Sequence, residues 1–354
     1  KCCTMPRRHD SQIPAGLSRL RLGTLLLLGG AGWSSGLHAP RADLPRAAFI
    51  RGCSGALAAT LALRPPPPTV AAATATDDLR AEARLRAQVR ALVLEQPALA
   101  GAFVRLAFHD SAPRDRPGVG GPNGSIIFEL DRPANLRLSV PLGHLARLRA
   151  ADDSTARLTL ADSIAVAGAE AVEAIGGPHI WLPLGRRDAT GPDSAELARP
   201  LAARDSRDRV TTTLPDAGLS SVGLRRYFAR LGLSERELVA LSGAHGFGRH
   251  PSLIGMPAEC LKKLTPACLE AAPSRPPFLT KSADNFNNDY FKLLLRWNTR
   301  DLERGAAFFL PTDVALVIDP GLRRWVSLFA RDEVEFSRAF SSAYVKLCKP
   351  VARS

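Results

Sequence analysis

From residue 77 onward, apolar residues recur at helical spacing, and strict apolar–polar alternation is nearly absent. The segment 77–96 places Leu85, Val89 and Val93 on one face, with charged residues opposite. Comparable patterns follow in 97–111, in the alanine-rich 158–175 and in 330–347. Because a strand with one buried face needs a period of two, this part of the chain is predicted to be all-α.

Local signals predict where these helices begin and end. Pro97 separates the first two helices, and Gly176, Gly177 and Pro178 stop the alanine-rich one. Ser234 and Glu237 form a capping-box pattern at the start of ERELVALSGAHG. No repeat or internal linker interrupts 77–350, so this range is predicted to be a single domain.

The first 76 residues read as a targeting leader rather than as part of the fold. Basic residues precede an apolar stretch at 22–33, and the basic segment 41–52 precedes a second apolar run at 53–63. Two such signals in series resemble the stacked targeting sequence of a lumenal plastid protein. The leader is therefore predicted to direct the protein to the thylakoid lumen and to be removed. The alternative is a secreted protein with one signal and a disordered Pro/Ala linker.

Composition excludes several function classes. Of the +13 formal charge, +7 lies in the leader, so 77–354 is only mildly basic. Without basic–aromatic interleaving or finger spacing, nucleic-acid binding is disfavoured. The six cysteines include no C-x-x-C pair, which excludes a structural zinc site, and only a Cys260–Cys268 pair stays open as a disulfide. No apolar run reaches the roughly 18 residues of a membrane span.

Two histidines lie in unusual surroundings. His109 follows Arg105 by four residues, so both side chains share one helix face. A neighbouring cation discourages protonation of the imidazole, which keeps it available as a base, and can itself stabilise a developing anion. His245 is flanked by small residues in ALSGAHGFG, which would admit a large, flat group. Taken singly, a histidine on a helix is more often an ordinary structural residue, so neither one alone is decisive.

The order of the motifs adds a stronger signal. The chain contains, in sequence, VRLAFHD (104–110), GGPNGSIIFE (120–129), LTLADSIAVAGAEAVEAIGGP (158–178), PLGRRDA (183–189), LPDAG (214–218), GLSERELVALSGAHGFGR (232–249), FNNDYF (286–291) and LPTDVAL (310–316). This series resembles the plant-type haem peroxidase superfamily, most closely the intracellular and plastid group that includes ascorbate peroxidase and cytochrome c peroxidase. The resemblance covers about 77–350. It implies an all-α fold with haem b held between a distal and a proximal helical half.

The resemblance also assigns roles to individual residues. On the distal side, His109 is the acid–base residue and Arg105 its cationic partner, while Phe108 takes the aromatic position. Asn135, with Glu129 nearby, fixes the tautomer of His109. On the proximal side His245 ligates the iron and Asp313 hydrogen-bonds it, and Arg249 is a candidate partner for a haem propionate.

Several positions depart from the family pattern. Pro97 and Ile254 stand where ascorbate peroxidases carry basic residues, so the usual ascorbate pocket is not encoded. Leu279 replaces the proximal tryptophan, which favours a porphyrin-centred radical. Phe108 replaces the distal tryptophan linked to catalase-like side activity, which favours a pure peroxidase. Gly246 offers no side-chain oxygen for a proximal cation.

The distal loop resembles the calcium loop of secreted peroxidases. Asp110, Asn123 and Ser125 stand at the ligand positions, and their oxygen atoms suit calcium. The alternative is an ordinary glycine-rich turn without a metal.

The predicted function is therefore reduction of hydrogen peroxide with a small one-electron donor, ascorbate or a phenol, in antioxidant defence. The alternative is a non-catalytic descendant of the fold that serves as a subunit of a photosynthetic membrane complex. The retained set of Arg105, His109, Asn135, His245 and Asp313 favours the enzyme. Peripheral association with a thylakoid complex is compatible with either reading.

Overall fold

We analysed a computed structural model of the chain, which describes residues 75–114, 120–193, 213–216, 218–248, 250–251, 274–275, 284–296 and 309–350. Nearly all of the leader, together with Arg249, Ile254, Cys260, Cys268 and Leu279, lies outside the described residues.

The described residues form ten α-helices. In chain order they are α1 (Ala75–Glu95), α2 (Leu99–Ser111), α3 (Ser139–Ala151), α4 (Leu160–Ala174), α5 (Ser221–Arg230), α6 (Glu235–Ser242), α7 (Asp289–Leu295), α8 (Pro311–Ile318), α9 (Pro320–Arg331) and α10 (Glu333–Leu347). Short 3-10 turns occupy Ser125–Phe128, Pro133–Asn135, Thr155–Arg157 and Gly243–Gly246. A two-residue strand β1 (His250–Pro251) pairs antiparallel with β2 (Ser274–Arg275). The predicted all-α fold is confirmed.

Capping explains several helix boundaries. The predicted capping box at α6 is present, with the Ser234 side chain accepting from the Glu237 backbone N–H. The start of α4 is held by Asp188, whose two carboxylate oxygens accept from the N–H groups of Leu160 and Ala161, both at 2.8 Å. A carboxylate at a helix N-terminus also complements the helix dipole. Asp188 of the PLGRRDA motif therefore stabilises the N-terminus of α4.

The helices pack into two groups that share one apolar core. In the first, α4 lies against both α1 and α2. Nine of its residues are buried alanines, valines, isoleucines or leucines: Leu160, Ala161, Ile164, Ala165, Val166, Ala167, Ala169, Ala171 and Val172. Ile175, just after the helix, is buried as well. In the second, α6 packs on α9 and α10, and α7 packs on α9. Phe286, Phe291, Phe336 and Phe340 stack and cross in the centre of this group.

A buried ion pair ties the first group to the last helix. Arg186 donates to the carboxylate of Asp162 on α4 at 2.7 Å, and its Nε donates to the carbonyl of Cys348 at 2.8 Å. Cys348, just after α10, is buried and carries a free thiol. The end of the domain is thereby fixed to its centre. Within the described part of the chain, no helix is long and apolar enough to cross a membrane.

Candidate functional site: a pair of histidines on two packed elements

The two singled-out histidines lie on elements that touch. His109 is on α2, and His245 is on the 3-10 turn Gly243–Gly246 that continues α6. The elements approach closely at Gly101, where a Cβ atom would stand 2.7 Å from the carbonyl oxygen of Phe247. Because only glycine permits this approach, the absence of a side chain at position 101 lets the distal helix pack this closely against the segment that follows the proximal turn.

His109 is held in one tautomer by a chain of hydrogen bonds. Its Nδ1 lies 2.9 Å from Oδ1 of Asn135, and Nδ2 of Asn135 donates to the Glu129 carbonyl at 2.9 Å. Because that carbonyl can only accept, it fixes the amide so that Oδ1 faces the imidazole. Nδ1 of His109 therefore carries the proton, and Nε2 keeps the lone pair that a base needs.

The surroundings keep His109 neutral. Burial lowers its pKa to about 3, and the charge of Arg105 adds to this shift, while the hydrogen bond to Asn135 opposes it. Phe108 lies beside the imidazole with ring centroids 6.2 Å apart, and it packs in turn on Phe228. The structure thus brings together the predicted distal set of Arg105, Phe108, His109 and Asn135.

Arg105 binds the same segment that carries Asn135. Its guanidinium donates to the backbone carbonyls of Leu136 at 2.7 Å and Ala134 at 2.8 Å. Burial, with a contribution from the charge of Arg137, lowers the pKa of Arg105 to about 10. Arg137 has φ of 67°, the one left-handed backbone among the described residues that are not glycine. Sequence analysis did not select Arg137, because no local pattern marks it. It follows directly on the segment that Arg105 binds through the carbonyls of Ala134 and Leu136.

On the proximal side, His245 is paired with a buried carboxylate. Its Nδ1 lies 2.8 Å from Oδ1 of Asp313, the N3 residue of α8. Burial lowers the pKa of His245, but the charge and hydrogen bond of Asp313 raise it more, so the net pKa lies above its ordinary value. Since Nδ1 is engaged, Nε2 is the nitrogen with which His245 would bind iron.

Tyr290 is the proximal residue that sequence analysis missed. Its hydroxyl donates to the same Oδ1 of Asp313 at 2.6 Å. Tyr290 lies inside the quoted FNNDYF motif, where the patterning signals only a buried aromatic. Its contact with Asp313 depends on how α7 meets α8, which no local pattern encodes.

The residues present fit a haem. The His245 side chain is 36% exposed, whereas its partner Asp313 is only 3% exposed. A histidine that engages a carboxylate through one ring nitrogen is the donor type of a proximal iron ligand. Arg249, the predicted propionate partner, lies outside the described residues.

The distal loop brings the three predicted calcium ligands together. Asp110 is buried and accepts from the backbone N–H groups of Gly124 at 3.0 Å and Ile126 at 3.4 Å. Asn123 accepts from the Ser125 N–H and donates to Asp193, a residue that sequence analysis did not select. No group of three or more His, Cys, Asp or Glu side chains is placed to hold a metal ion in the described ranges. Calcium binding here stays a prediction.

Comparison with known proteins agrees with this geometry. Residues 85–332 match the family described as Peroxidase. The chain is similar to a protein of Oryza sativa subsp. japonica named "Probable L-ascorbate peroxidase 3, peroxisomal", with 36% identity over 75% of this chain and 77% of that protein. It is also similar to L-ascorbate peroxidase 5, peroxisomal, of Arabidopsis thaliana, with 34% identity over 75% of this chain and 80% of that protein.

A third relative, named "Probable L-ascorbate peroxidase 7, chloroplastic", from Oryza sativa subsp. japonica, is 33% identical over 69% of this chain and 64% of its own length. The fold, the paired histidines and these matches lead to one conclusion. The chain belongs to the plant-type haem peroxidase family, is similar to its ascorbate peroxidase group, and is a haem-dependent peroxidase.

Proposed function

We propose that this peroxidase removes hydrogen peroxide in antioxidant defence, using a small organic molecule as the one-electron donor. The observation that carries the proposal is the pair of oriented imidazoles, His109 on Asn135 and His245 on Asp313. When bound, haem supplies the redox chemistry of peroxide reduction and donor oxidation.

The distal residues manage the protons. Nε2 of His109 accepts a proton from one oxygen of peroxide and delivers it to the other, so that water can leave. Two donor molecules then supply two electrons and, with two protons, complete the conversion of peroxide to two waters. Arg105 places positive charge close to His109, where it stabilises negative charge developing on the departing oxygen.

The proposed donor is ascorbate or a phenol. Relatives that carry the name ascorbate peroxidase support ascorbate. Pro97 and Ile254 weaken that assignment, because neither can pair with an ascorbate anion. Donor-dependent steady-state rates with ascorbate and with a simple phenol decide between them.

The proposed location is a plastid, in the thylakoid lumen, with residues 1–76 as the removable leader and 77–350 as the mature domain. A chloroplastic relative supports a plastid, while peroxisomal relatives support that compartment equally, and secretion is a third alternative. Peripheral association with a thylakoid complex goes with the lumenal location. Imaging of a fluorescent protein fused behind 1–76, with a fusion that lacks 53–63, tests the leader.

The proposed mechanism is tested by stopped-flow absorbance of the haem-loaded protein mixed with one equivalent of peroxide. We expect a rapid change of the haem spectrum that is slowed by at least 100-fold in His109→Ala. The control is His179→Ala, which removes an exposed histidine bonded only to Glu173 in the described structure. A haem-loaded protein that does not react with peroxide would overturn the proposed enzymatic activity and favour the alternative of a non-catalytic subunit.

A further inference from the structure

Tyr290 occupies a fully enclosed position on the proximal side. It is the second residue of α7, is 1% exposed, and lies edge-on to His245 with ring centroids 6.1 Å apart. Phe291 and Phe309 pack against other sides of its ring. Its ring is therefore fixed by packing that does not depend on the hydroxyl.

The hydroxyl of Tyr290 and the imidazole of His245 compete for one oxygen atom. Oδ1 of Asp313 accepts from Tyr290 at 2.6 Å and lies 2.8 Å from Nδ1 of His245. The other oxygen, Oδ2, accepts from the backbone N–H of Leu310 at 2.9 Å. A hydrogen-bond donor on a carboxylate withdraws negative charge from it, so each donor weakens the bond that the oxygen makes to the other.

We propose that Tyr290 is a positioning residue that limits how much negative charge Asp313 offers to His245, and thereby sets how strongly His245 donates electrons to the haem iron. The proposal rests on the proposed function, since it requires iron on His245. A carboxylate on a ligating histidine makes the imidazole a stronger donor, which favours ferric over ferrous iron. Tyr290 moderates that effect. Its phenol stays protonated because burial and the charge of Asp313 raise its pKa well above the ordinary value.

The substitution Tyr290→Phe isolates this effect. It removes one oxygen atom and leaves the ring packing in place, while the Leu310 N–H still holds Oδ2 of Asp313. The chain offers a matched control in Tyr227→Phe. Tyr227 is equally buried and donates to the Thr213 carbonyl at 2.6 Å, with no contact to Asp313 in the described structure.

The experiment measures two properties of the haem-loaded protein besides its activity. Potentiometric titration gives the ferric/ferrous midpoint potential, and resonance Raman spectroscopy of the ferrous form gives the iron–histidine stretching frequency. In Tyr290→Phe we expect the potential to become more negative and the stretching frequency to rise, because His245 then donates more strongly. Tyr227→Phe should leave both unchanged. In an Asp313→Asn background, Tyr290→Phe should have little further effect, since it acts through the carboxylate.

Each result is decisive. Unchanged values in Tyr290→Phe, shifts of the opposite sign, or equal shifts in Tyr227→Phe overturn the role of Tyr290 and leave the peroxidase assignment intact. A full shift that persists in the Asp313→Asn background also overturns it. If the unaltered protein shows no iron–histidine band and His245→Ala binds haem as before, the proposed ligation fails, and the inference about Tyr290 fails with it.

Discussion

The two imidazoles of the site differ in the charge of the group that each one faces. His109 faces the neutral amide of Asn135, whereas His245 faces the anionic carboxylate of Asp313. A neutral acceptor orients the ring without adding electron density, so His109 stays a weak, unprotonated base. An anionic acceptor makes His245 electron-rich, as suits a metal ligand. Histidine thus suits two different tasks, proton transfer and metal ligation, depending on whether its hydrogen-bond partner is neutral or anionic.

The low pKa of His109 predicts the pH range of the reaction with peroxide. His109 can accept a proton only when it is neutral. Because its pKa is about 3, the reaction should slow only at a pH well below the one at which an ordinary histidine becomes protonated. We expect a flat rate from pH 8 down to about pH 4 in the unaltered protein. In Arg105→Leu, the remaining rate should begin to fall at a higher pH, because a neighbouring cation no longer opposes protonation.

Stopped-flow rates across this range check the prediction, with Arg147→Leu as the control for loss of an exposed arginine on α3. A fall in the rate centred near pH 6.5 in the unaltered protein would contradict the assignment of His109 as a buried base next to a cation.

The left-handed backbone at Arg137 predicts that a glycine there would make the protein more stable. A non-glycine residue at φ of 67° costs on the order of 1 kcal/mol or more, and its charge also opposes that of Arg105. We expect Arg137→Gly to raise the free energy of unfolding by about 0.5–1 kcal/mol, after the larger entropy of unfolded glycine is deducted. Denaturant titration measures it. Arg137→Ala, which removes the charge but keeps the strained backbone, should gain less; an equal gain would assign the effect to charge.

At the scale of elements, the approach of α2 to the proximal turn is set by Gly101. A methyl group there would stand 2.7 Å from the Phe247 carbonyl and 2.8 Å from Cα of Gly248. Both neighbours are backbone, so neither can yield by a rotamer change. The separation of the two histidine-bearing elements is therefore controlled by a position that carries no side chain.

This contact predicts opposite effects for two Gly→Ala substitutions in helices. Gly101→Ala should destabilise the protein by about 1–3 kcal/mol through overpacking and should reduce haem uptake. Gly143→Ala, on α3, would meet only the end of the Arg147 side chain at 3.8 Å, so it should stabilise the protein by about 0.5–1 kcal/mol. Thermal melts and haem titrations check both. Equal effects of the two substitutions would show that the close approach does not matter.

The elements themselves were largely predictable from sequence. The helix predicted at 77–96 spans Ala75–Glu95, and the one predicted at 158–175 spans Leu160–Ala174, because periodicity and capping are local signals. The order of the motifs predicted the roles of His109 and His245, and these roles stay predictions. The left-handed Arg137 and the hydroxyl of Tyr290 could not be predicted, since both depend on contacts between segments far apart in the chain.

At the scale of the whole molecule, buried carboxyl groups should couple stability to pH. Burial raises the pKa of Asp110 to about 7, and the charges of Asp193 and Glu129 act in the same direction against the two backbone hydrogen bonds. Between its unfolded value of 3.8 and about 7, the folded protein binds more protons than the unfolded chain. Stability contributed by this group therefore falls as pH rises through that window.

We expect Asp110→Asn to flatten the decline in stability between pH 4 and 7, a change on the order of 2–4 kcal/mol across the window. Unfolding free energies measured by denaturant at several pH values check this. Calcium added to the unaltered protein should also flatten the curve if the cation neutralises the ionised Asp110. No response to calcium would contradict the calcium prediction while leaving the proton linkage standing.

The contact of Arg186 with the Cys348 carbonyl has a consequence for how the protein is made. The partner of this buried guanidinium is synthesised 162 residues after it, and the hydroxyl of Tyr344, which is equally late, donates to Ala165 at the centre of α4. The first helices therefore cannot complete their interior during synthesis, because the atoms that satisfy it have not yet left the ribosome. The emerging chain therefore stays incompletely packed until α10 has been synthesised, and its interior closes only once the last helix is in place.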